Sequence, residues 1–152
     1  EAGLLQEYLW LEHTRFPDKF EYEINLPGNL EQAGILPLLT HGLVEQALYR
    51  GVLNLDNGKK GKILIDFEAA GDMIVVQVTD NGMSREQSGE LEKRKGIAKK
   101  DDDMLARRIR LFNRQGKRKI TLHTAMVTLN KAEPANRARL EIPQPLFDTP
   151  IL

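Results

Sequence analysis

The fold of this chain is decided by one stretch of sequence, which reads Val76-Gln77-Val78-Thr79-Asp80-Asn81-Gly82. Apolar and polar residues alternate here with the period of a strand that is buried on one face. Asn-Gly favours a tight turn, so turn chemistry alone is enough to end the strand at this point. Upstream, Ile63, Ile65 and Phe67 alternate with Lys62, Asp66 and Glu68, and a turn signal at residues 70–72 separates the two stretches. Together they predict a β-hairpin that ends at Asp80.

A second informative stretch lies upstream, where residues 37–50 are predicted to form a helix. A proline begins this stretch and a glycine follows it, as is common at the first turn and the C-terminal cap of helices. At about 100° per residue, Gln46 and Arg50 project from the same face as Leu39 and Leu43. An amide and a guanidinium on an apolar stripe need polar partners. Those partners are either a bound ligand or an internal hydrogen-bond network.

The remaining pattern predicts two more helices and three more strands. The helices are residues 2–16 and 104–113, and the strands are residues 20–24, 119–127 and 137–142. A polar loop at residues 130–136 joins the last two strands. Residues 83–103 carry a charge at twelve of 21 positions, which predicts a long mobile loop. The order of elements predicts an α+β fold, a two-layer α/β sandwich of a mixed sheet with helices on one face.

Composition excludes several classes of protein. The 152 residues include 22 basic and 22 acidic ones, so no overall field attracts nucleic acid or an acidic membrane surface. The absence of cysteine excludes disulfides, thiolate zinc sites and cysteine nucleophiles. No apolar run approaches the ~20 residues that span a bilayer, and the N-terminus lacks a signal-peptide pattern. Because the first residue is not Met and helical sequence begins at once, we expect a piece of a longer protein.

The three histidines do not predict a catalytic centre. His13, His41 and His123 are scattered along the chain. His41 and Glu45 lie four residues apart on the second helix, which is the spacing of a two-ligand metal pair, but no third ligand is evident. The sequence therefore favours a solvated polar face for this pair. His123 falls within a predicted strand, where a surface or hydrogen-bonded side chain is the simplest interpretation.

Four motifs occur in a fixed order along the chain. They are Tyr8-Leu9-Trp10-Leu11-Glu12-His13-Thr14-Arg15-Phe16, Leu36-Pro37-Leu38-Leu39 through Val44-Glu45-Gln46-Ala47, Asp80-Asn81-Gly82-Met83-Ser84, and Arg107-Arg108-Ile109-Arg110-Leu111-Phe112. Together they resemble the ATP-binding catalytic domain of sensor histidine kinases, within the GHKL (Bergerat-fold) ATPase superfamily. The chain looks most like the subfamily in which a helix rich in Leu-Glu-x-x-x-Arg-Phe leads directly into the ATPase domain. The resemblance covers residues 5–143.

The resemblance implies a nucleotide site between the second helix and the end of the Asp80 strand. Its residues would be Gln46, Arg50, Asp80, Gly82, Ser84 and Gly96, with ATP and Mg²⁺ as cofactors. Asp80 corresponds to the aspartate that accepts a hydrogen bond from the adenine amino group. Gln46 stands where the family has an asparagine that holds Mg²⁺ between the ATP phosphates, and its side chain is one methylene longer. The one catalytic candidate that the resemblance suggests is Glu45.

Several positions depart from the family pattern. Ser84 replaces the second glycine of the strand-end motif, and Tyr49-Arg50 replaces a Lys-His pair. The glycine run of the family's nucleotide lid is missing: Lys99 to Asp102 occupy its place, and Gly96-Ile97-Ala98 is a candidate remnant. Consecutive aspartates beside a triphosphate would repel it.

Two functional hypotheses follow from the match and its departures. The first is an active kinase domain that binds Mg-ATP and phosphorylates a histidine on an upstream helix, weakened by the altered metal and lid positions. The second is a degenerate, non-catalytic pseudokinase module that is retained for signalling or dimer contacts. The departures favour the second on catalytic competence, so enzymatic activity stays open. A non-nucleotide α+β binding domain would require the four-part resemblance to be accidental.

The resemblance also predicts how the chain is organised and what it meets. Residues 1–17 would lead in from an upstream dimerisation and phosphoacceptor region, residues 18–146 would form the ATPase domain with a lid at residues 83–103, and residues 147–152 would be a tail. The expected partners are the protein's own dimerisation helices, in a homodimer, and a response regulator. No nucleic acid and no direct membrane contact are expected. The fragment would be the cytoplasmic domain of a membrane-anchored bacterial protein.

Overall fold

A single five-stranded sheet forms the centre of the computed structural model, which describes residues 1–31, 33–56, 58–96, 102–130 and 132–145. Its strands are β1 (Phe20–Asn25), β2 (Gly61–Ala70), β3 (Met73–Asp80), β4 (Thr121–Leu129) and β5 (Glu133–Pro143). They lie in the order β1-β2-β3-β5-β4. The β1–β2 pair is parallel and the other pairs are antiparallel, so the sheet is mixed as predicted.

Within the described ranges, three helices cover one face of this sheet. They are α1 (Ala2–Arg15), α2 (Leu39–Gln46) and α4 (Asp102–Gln115), and their buried faces carry Leu5, Leu9, Leu39, Leu43, Val44, Leu105 and Ile109. The facing side of the sheet contributes the inward residues of β2, β3 and β5, which are Ile63, Ile65, Val76, Val78, Leu140 and Ile142. Alternation along the strands selects this face, because successive side chains point to opposite sides. The predicted α+β sandwich is confirmed. None of the helices in the described ranges is long and apolar enough to cross a bilayer.

The second helix differs from its prediction at both ends. It begins at Leu39, two residues after Pro37, because Leu38 adopts a left-handed backbone conformation with φ of 63°. After Gln46 the chain continues through a π-helical turn over Ala47–Gly51 and a 3₁₀ turn over Val52–Asn54. Wide π turns occur mostly as single turns and often at functional sites. Here the turn carries Arg50.

The prediction of a mobile loop over residues 83–103 is wrong for residues 85–94, which form the helix α3 (Arg85–Arg94). Ser84 caps it: its Oγ accepts a hydrogen bond from the backbone N–H of Gln87 at 3.2 Å, and the Gln87 side chain accepts one from the N–H of Ser84 at 3.2 Å. Gly96 ends the helix with φ of 66°. Capping and end charges can thus hold a helix that has almost no apolar face. Residues 97–101, which include most of the segment from Lys99 to Asp102 that replaces the family's glycine run, lie outside the described residues.

The Ser84 cap makes a testable contribution to α3. We expect Ser84→Ala to destabilise this helix by about 1 kcal/mol, because the backbone N–H of Gln87 loses the side-chain oxygen that accepts its hydrogen bond. Hydrogen exchange of the α3 amides should then accelerate by about fivefold, while exchange in α1 stays unchanged. Ser84→Asn, which keeps a capping oxygen, is the matched control. Equal protection of α3 in Ser84→Ala and the wild type would contradict the role of the cap.

The last hairpin is longer than predicted. The expected loop at residues 130–136 is wrong for residues 133–136, which belong to β5. The longer strand places Asn136 directly opposite Asp80 in the β3–β5 register. A residue assigned to a loop by its polarity therefore lies beside the central strand's end.

Candidate functional site

A cavity of about 850 Å³ opens between α2 with its π turn, α3, and the ends of strands β3, β4 and β5. This volume is typical of small-molecule sites. Four of the predicted site residues line it together, namely Gln46, Arg50, Asp80 and Ser84. Gly82 lines a smaller neighbouring cavity of about 450 Å³, on which Ser84 also borders. The structure thus brings most of the predicted set to one place.

Asp80 is the buried acidic group of this cavity. Only 5% of the residue is exposed, and its Oδ1 accepts hydrogen bonds from the Gly82 N–H at 2.9 Å and from Asn136 Nδ2 at 3.0 Å. Burial raises the pKa of the carboxyl to about 6, and the two hydrogen bonds oppose this rise. The group is therefore mainly ionised at neutral pH. No described residue donates a hydrogen bond to the second oxygen, Oδ2, which leaves it available to a ligand.

Two glycines let the backbone close tightly around Asp80. A Cβ atom on Gly82 would lie 2.2 Å from the carbonyl carbon of Gly51, and one on Gly51 would lie 2.6 Å from Asp80 Oδ1. The N–H of Met83 donates a hydrogen bond to the Gly51 carbonyl at 3.2 Å. The π turn and the end of β3 therefore touch backbone to backbone, which only glycine allows here.

Arg50 ties the π turn to α3. Its Nε lies 3.2 Å from Glu92 Oε1, and both side chains are about one-quarter exposed. Among the described residues, four basic and four acidic side chains line the cavity. A site built only for a polyanion would carry an excess of positive charge, whereas here the charges balance.

One lining residue has its side chain engaged elsewhere, and two other predicted residues lie away from the cavity. The Ser84 hydroxyl is engaged as the helix cap. The lining of the cavity follows α3 as far as Lys93 in the described part of the chain, so Gly96 lies beyond it and serves the helix end. Glu45 is exposed on α2 and is not among the described lining residues.

The histidines form no metal site within the residues that the structure describes, since no group of three or more His, Cys, Asp or Glu side chains is close enough to hold an ion. The His41 ring instead contacts Tyr8, with ring centroids 4.5 Å apart. His41 is half-buried, so the solvated face predicted for it is only partly correct. His123 is exposed on β4, as predicted.

Asn136 is the site residue that sequence reasoning missed. Its Nδ2 lies 3.0 Å from Asp80 Oδ1, 3.1 Å from the Met83 carbonyl and 3.4 Å from the Gly82 carbonyl. It therefore joins β5 to the segment that follows β3. The sequence does hold one signal for it, since Asn136 directly precedes the last alternating stretch. Extending that predicted strand by one residue would place Asn136 beside the end of the strand that carries Asp80.

The lead-in helix α1 also reaches the π turn. The Tyr49 hydroxyl donates a hydrogen bond to Glu12 Oε2 at 2.9 Å, and Arg15 Nη1 donates one to the same hydroxyl at 3.3 Å. Burial and the bond to Glu12 raise the pKa of Tyr49. Because Tyr49 directly precedes Arg50, α1 contacts the turn that forms one wall of the cavity.

Among solved structures, two histidine kinases have a fold similar to that of this chain. The structure matches the Acinetobacter baumannii histidine kinase AdeS with a TM-score of 0.53, over 95% of this chain and 64% of that chain, at 14% sequence identity. It matches a nucleotide-free catalytic domain of the histidine kinase ThkA with a TM-score of 0.54, over 94% of this chain and 91% of that one, also at 14% identity.

The sequence comparison covers a shorter stretch. Over 82 residues, or 54% of the chain, the sequence is 34% identical to the sensor protein LytS of Bacillus subtilis (strain 168). The match spans 14% of LytS, so the chain corresponds to a small part of that protein. No protein-family model matches the sequence.

Proposed function

We propose that this chain, which has the α+β fold of histidine kinase catalytic domains, is the ATP-binding catalytic domain of a two-component sensor histidine kinase. The observation that carries the proposal is Asp80. It is a buried carboxylate at the end of a central strand, it lines a cavity of nucleotide size, and one of its oxygens has no donor among the described residues. An adenine amino group would supply the missing donor.

The phosphates would lie toward the other polar residues of the cavity. Arg50 offers a fixed guanidinium on the π turn, and guanidinium groups bind phosphate oxygens in pairs. Mg²⁺ usually keeps several waters and takes one or two protein ligands besides substrate phosphates. The amide of Gln46 lines the cavity and fits the role of such a single oxygen ligand. When bound, the ion would neutralise charge on the transferred phosphoryl group.

The proposed reaction passes the γ-phosphoryl group to a histidine on an upstream helix. A ring nitrogen of that histidine forms a bond to phosphorus, the bond from phosphorus to the β–γ bridging oxygen breaks, and ADP leaves. The residues of this chain bind and orient the nucleotide, and positioning of that kind supplies most of the catalysis in phosphoryl transfer. The isolated chain is expected to show little or no self-phosphorylation, because His13 lies in the lead-in helix without the family's acceptor motif.

The cellular setting belongs to the same proposal. The name of LytS, a sensor protein, supports a sensor as the whole protein. In such a protein, α1 would continue from a dimerisation region. The chain would then act in a homodimer and pass the phosphoryl group on to a response regulator. It would be a cytoplasmic domain of a membrane-anchored protein.

A second candidate function is favoured by the charge of the cavity. Arg50 is paired with Glu92, and among the described lining residues the acidic side chains equal the basic ones in number. A triphosphate entering this cavity must compete with Glu92 for Arg50. This arrangement supports a degenerate module that keeps the fold for protein contacts and binds nucleotide weakly.

Calorimetric titration separates the two candidates. The chain is titrated with ADP and with a non-hydrolysable ATP analogue, in the presence and absence of Mg²⁺. Micromolar binding that strengthens with Mg²⁺ supports the kinase domain. No heat and no thermal stabilisation at millimolar nucleotide would reject it in favour of the degenerate module.

Removal of the carboxylate that competes for Arg50 should strengthen nucleotide binding. We expect Glu92→Gln to tighten the binding of ADP by about three- to tenfold, since a partly exposed ion pair no longer has to be broken. Glu86→Gln, which removes the same charge from the same helix outside this ion pair, is the control for the general change in field. Equal effects of the two substitutions would show that pairing with Arg50 is irrelevant to binding.

A further inference from the structure

The orientation of the Asn136 amide is fixed by chemistry. Its Nδ2 is surrounded by three acceptors, which are Asp80 Oδ1 and the carbonyl oxygens of Gly82 and Met83. A flipped amide would place its oxygen against all three acceptors, so the nitrogen must lie on this side. The amide oxygen of Asn136 therefore points away from Asp80 Oδ1 and from both carbonyls.

Two acceptor oxygens are left over by this arrangement. Neither Asp80 Oδ2 nor Asn136 Oδ1 receives a hydrogen bond from the residues that the structure describes, although both residues line the cavity. Both atoms are accessible to solvent, because neither is one of the fully buried side-chain atoms that lack a hydrogen-bond partner. The cross-strand pair of Asp80 and Asn136 thus has two acceptor oxygens without a described donor, while its one side-chain donor group, Asn136 Nδ2, is engaged within the protein.

We propose that Asn136 is a second base-reading residue of the nucleotide site, and that the Asp80–Asn136 pair admits guanine as well as adenine. The inference rests on the proposed nucleotide binding and specifies its base selectivity. On its Watson–Crick edge, guanine carries two adjacent donors, N1–H and the 2-amino group. Adenine carries one donor there, the 6-amino group, next to the N1 acceptor. Two acceptors match the two donors of guanine and leave its O6 to water, whereas adenine uses one of them and leaves its N1 to water.

The selectivity test compares three diphosphates on the whole chain by calorimetry, namely ADP, GDP and IDP in the presence of Mg²⁺. We expect GDP to bind within about tenfold of ADP. IDP, which keeps N1–H but lacks the 2-amino group, should bind about three- to tenfold more weakly than GDP, which corresponds to one hydrogen bond. This comparison needs no variant and so does not depend on how a substitution folds.

A substitution then assigns the effect to Asn136. Asn136→Ala should weaken the binding of both ADP and GDP, because Asp80 loses the hydrogen bond that holds its carboxylate in place. The binding of GDP should weaken by a further factor of about three to ten. Asn25→Ala is the matched control, because Asn25 Nδ2 donates to Asp66 Oδ1 at 2.8 Å across the β1–β2 pair, away from the cavity. It removes the same kind of bond and should leave the ratio of GDP to ADP affinity unchanged.

The possible outcomes separate this inference from the proposed function. Binding of ADP without binding of GDP at millimolar concentration would overturn the guanine inference and leave the kinase domain intact. Equal losses of ADP and GDP affinity in Asn136→Ala, or equal affinities of GDP and IDP, would also overturn it. Binding of none of the three nucleotides would overturn the inference and the proposed function together.

Discussion

Asp80→Asn is expected to weaken nucleotide binding by about 100-fold or more while leaving the fold at least as stable as the wild type. In the variant, the side-chain oxygen must still accept from the Gly82 N–H and Asn136 Nδ2. Its new amide nitrogen then takes the place of Asp80 Oδ2 and faces the amino group of the base. A donor opposite a donor forfeits the charged hydrogen bond and leaves a buried group unpaired, which is worth about 3 kcal/mol.

The same substitution should raise stability at neutral pH. Burial raises the pKa of Asp80 from 3.8 to about 6 in the folded chain. Because the folded state holds this proton more tightly than the unfolded state, the stability that protonated Asp80 contributes is complete below pH 3.8 and is lost as the pH rises through 6. Asparagine never ionises, so the variant escapes a cost of order 1–3 kcal/mol at pH 8.

Thermal unfolding of both proteins at pH 4 and pH 8, paired with calorimetric titration of ADP, checks this prediction. The difference in free energy of unfolding between Asp80→Asn and the wild type should be larger at pH 8 than at pH 4, in favour of the variant. Retention of wild-type ADP affinity in the variant would contradict the role of Asp80. If the variant were less stable than the wild type at pH 8, this would contradict the claim that ionised Asp80 is buried at a cost in stability.

Gly82→Ala is expected to destabilise the chain by about 3 kcal/mol or more. Its Cβ would lie 2.2 Å from the Gly51 carbonyl carbon and 2.4 Å from the Val52 backbone nitrogen, so the clash is with backbone that cannot rotate away. Relief would require the π turn to separate from the end of β3, which also breaks the hydrogen bond from Met83 to Gly51. Nucleotide binding should be lost with it, because this contact shapes the surroundings of Asp80.

Gly89→Ala is the matched control for the clash. Gly89 lies in the middle of α3, and a Cβ there would meet nothing within 4 Å. Alanine should stabilise the helix by about 0.5–1 kcal/mol relative to glycine. Chemical denaturation of the two variants and the wild type measures both effects. A Gly82→Ala protein with wild-type stability would show that the backbone contact between the π turn and β3 is absent in solution.

Much of the fold could be predicted from alternation and helical periodicity. The β2–β3 hairpin is predictable because Ile65, Phe67, Val76 and Val78 alternate with polar residues, and one buried face leaves little freedom of register. The helix α3 was missed because its composition is nearly all polar and only Ser88 is buried along it. Local signals did mark it, since Ser84 and Gln87 have the spacing of a capping box and Gly96 follows the end.

The candidate site was predictable only where its residues belong to local sequence motifs. Gln46, Arg50 and Asp80 belong to local motifs, and the structure brings them to one cavity. Asn136 could not be found in that way, because its importance comes from pairing with a residue 56 positions away. The ion pair of Arg50 with Glu92 depends likewise on where α3 lies, which no local pattern specifies.

The most direct test of the central claim is to map nucleotide binding onto the backbone amides by NMR. The isotope-labelled chain is titrated with Mg-ADP, and the shifts of all amides are followed. We predict saturable changes at residues 46–52, at residues 80–89 and around Asn136, with an affinity in the micromolar range. The absence of any change at millimolar Mg-ADP, or saturable changes confined to surfaces away from Asp80, would contradict a nucleotide site in this cavity.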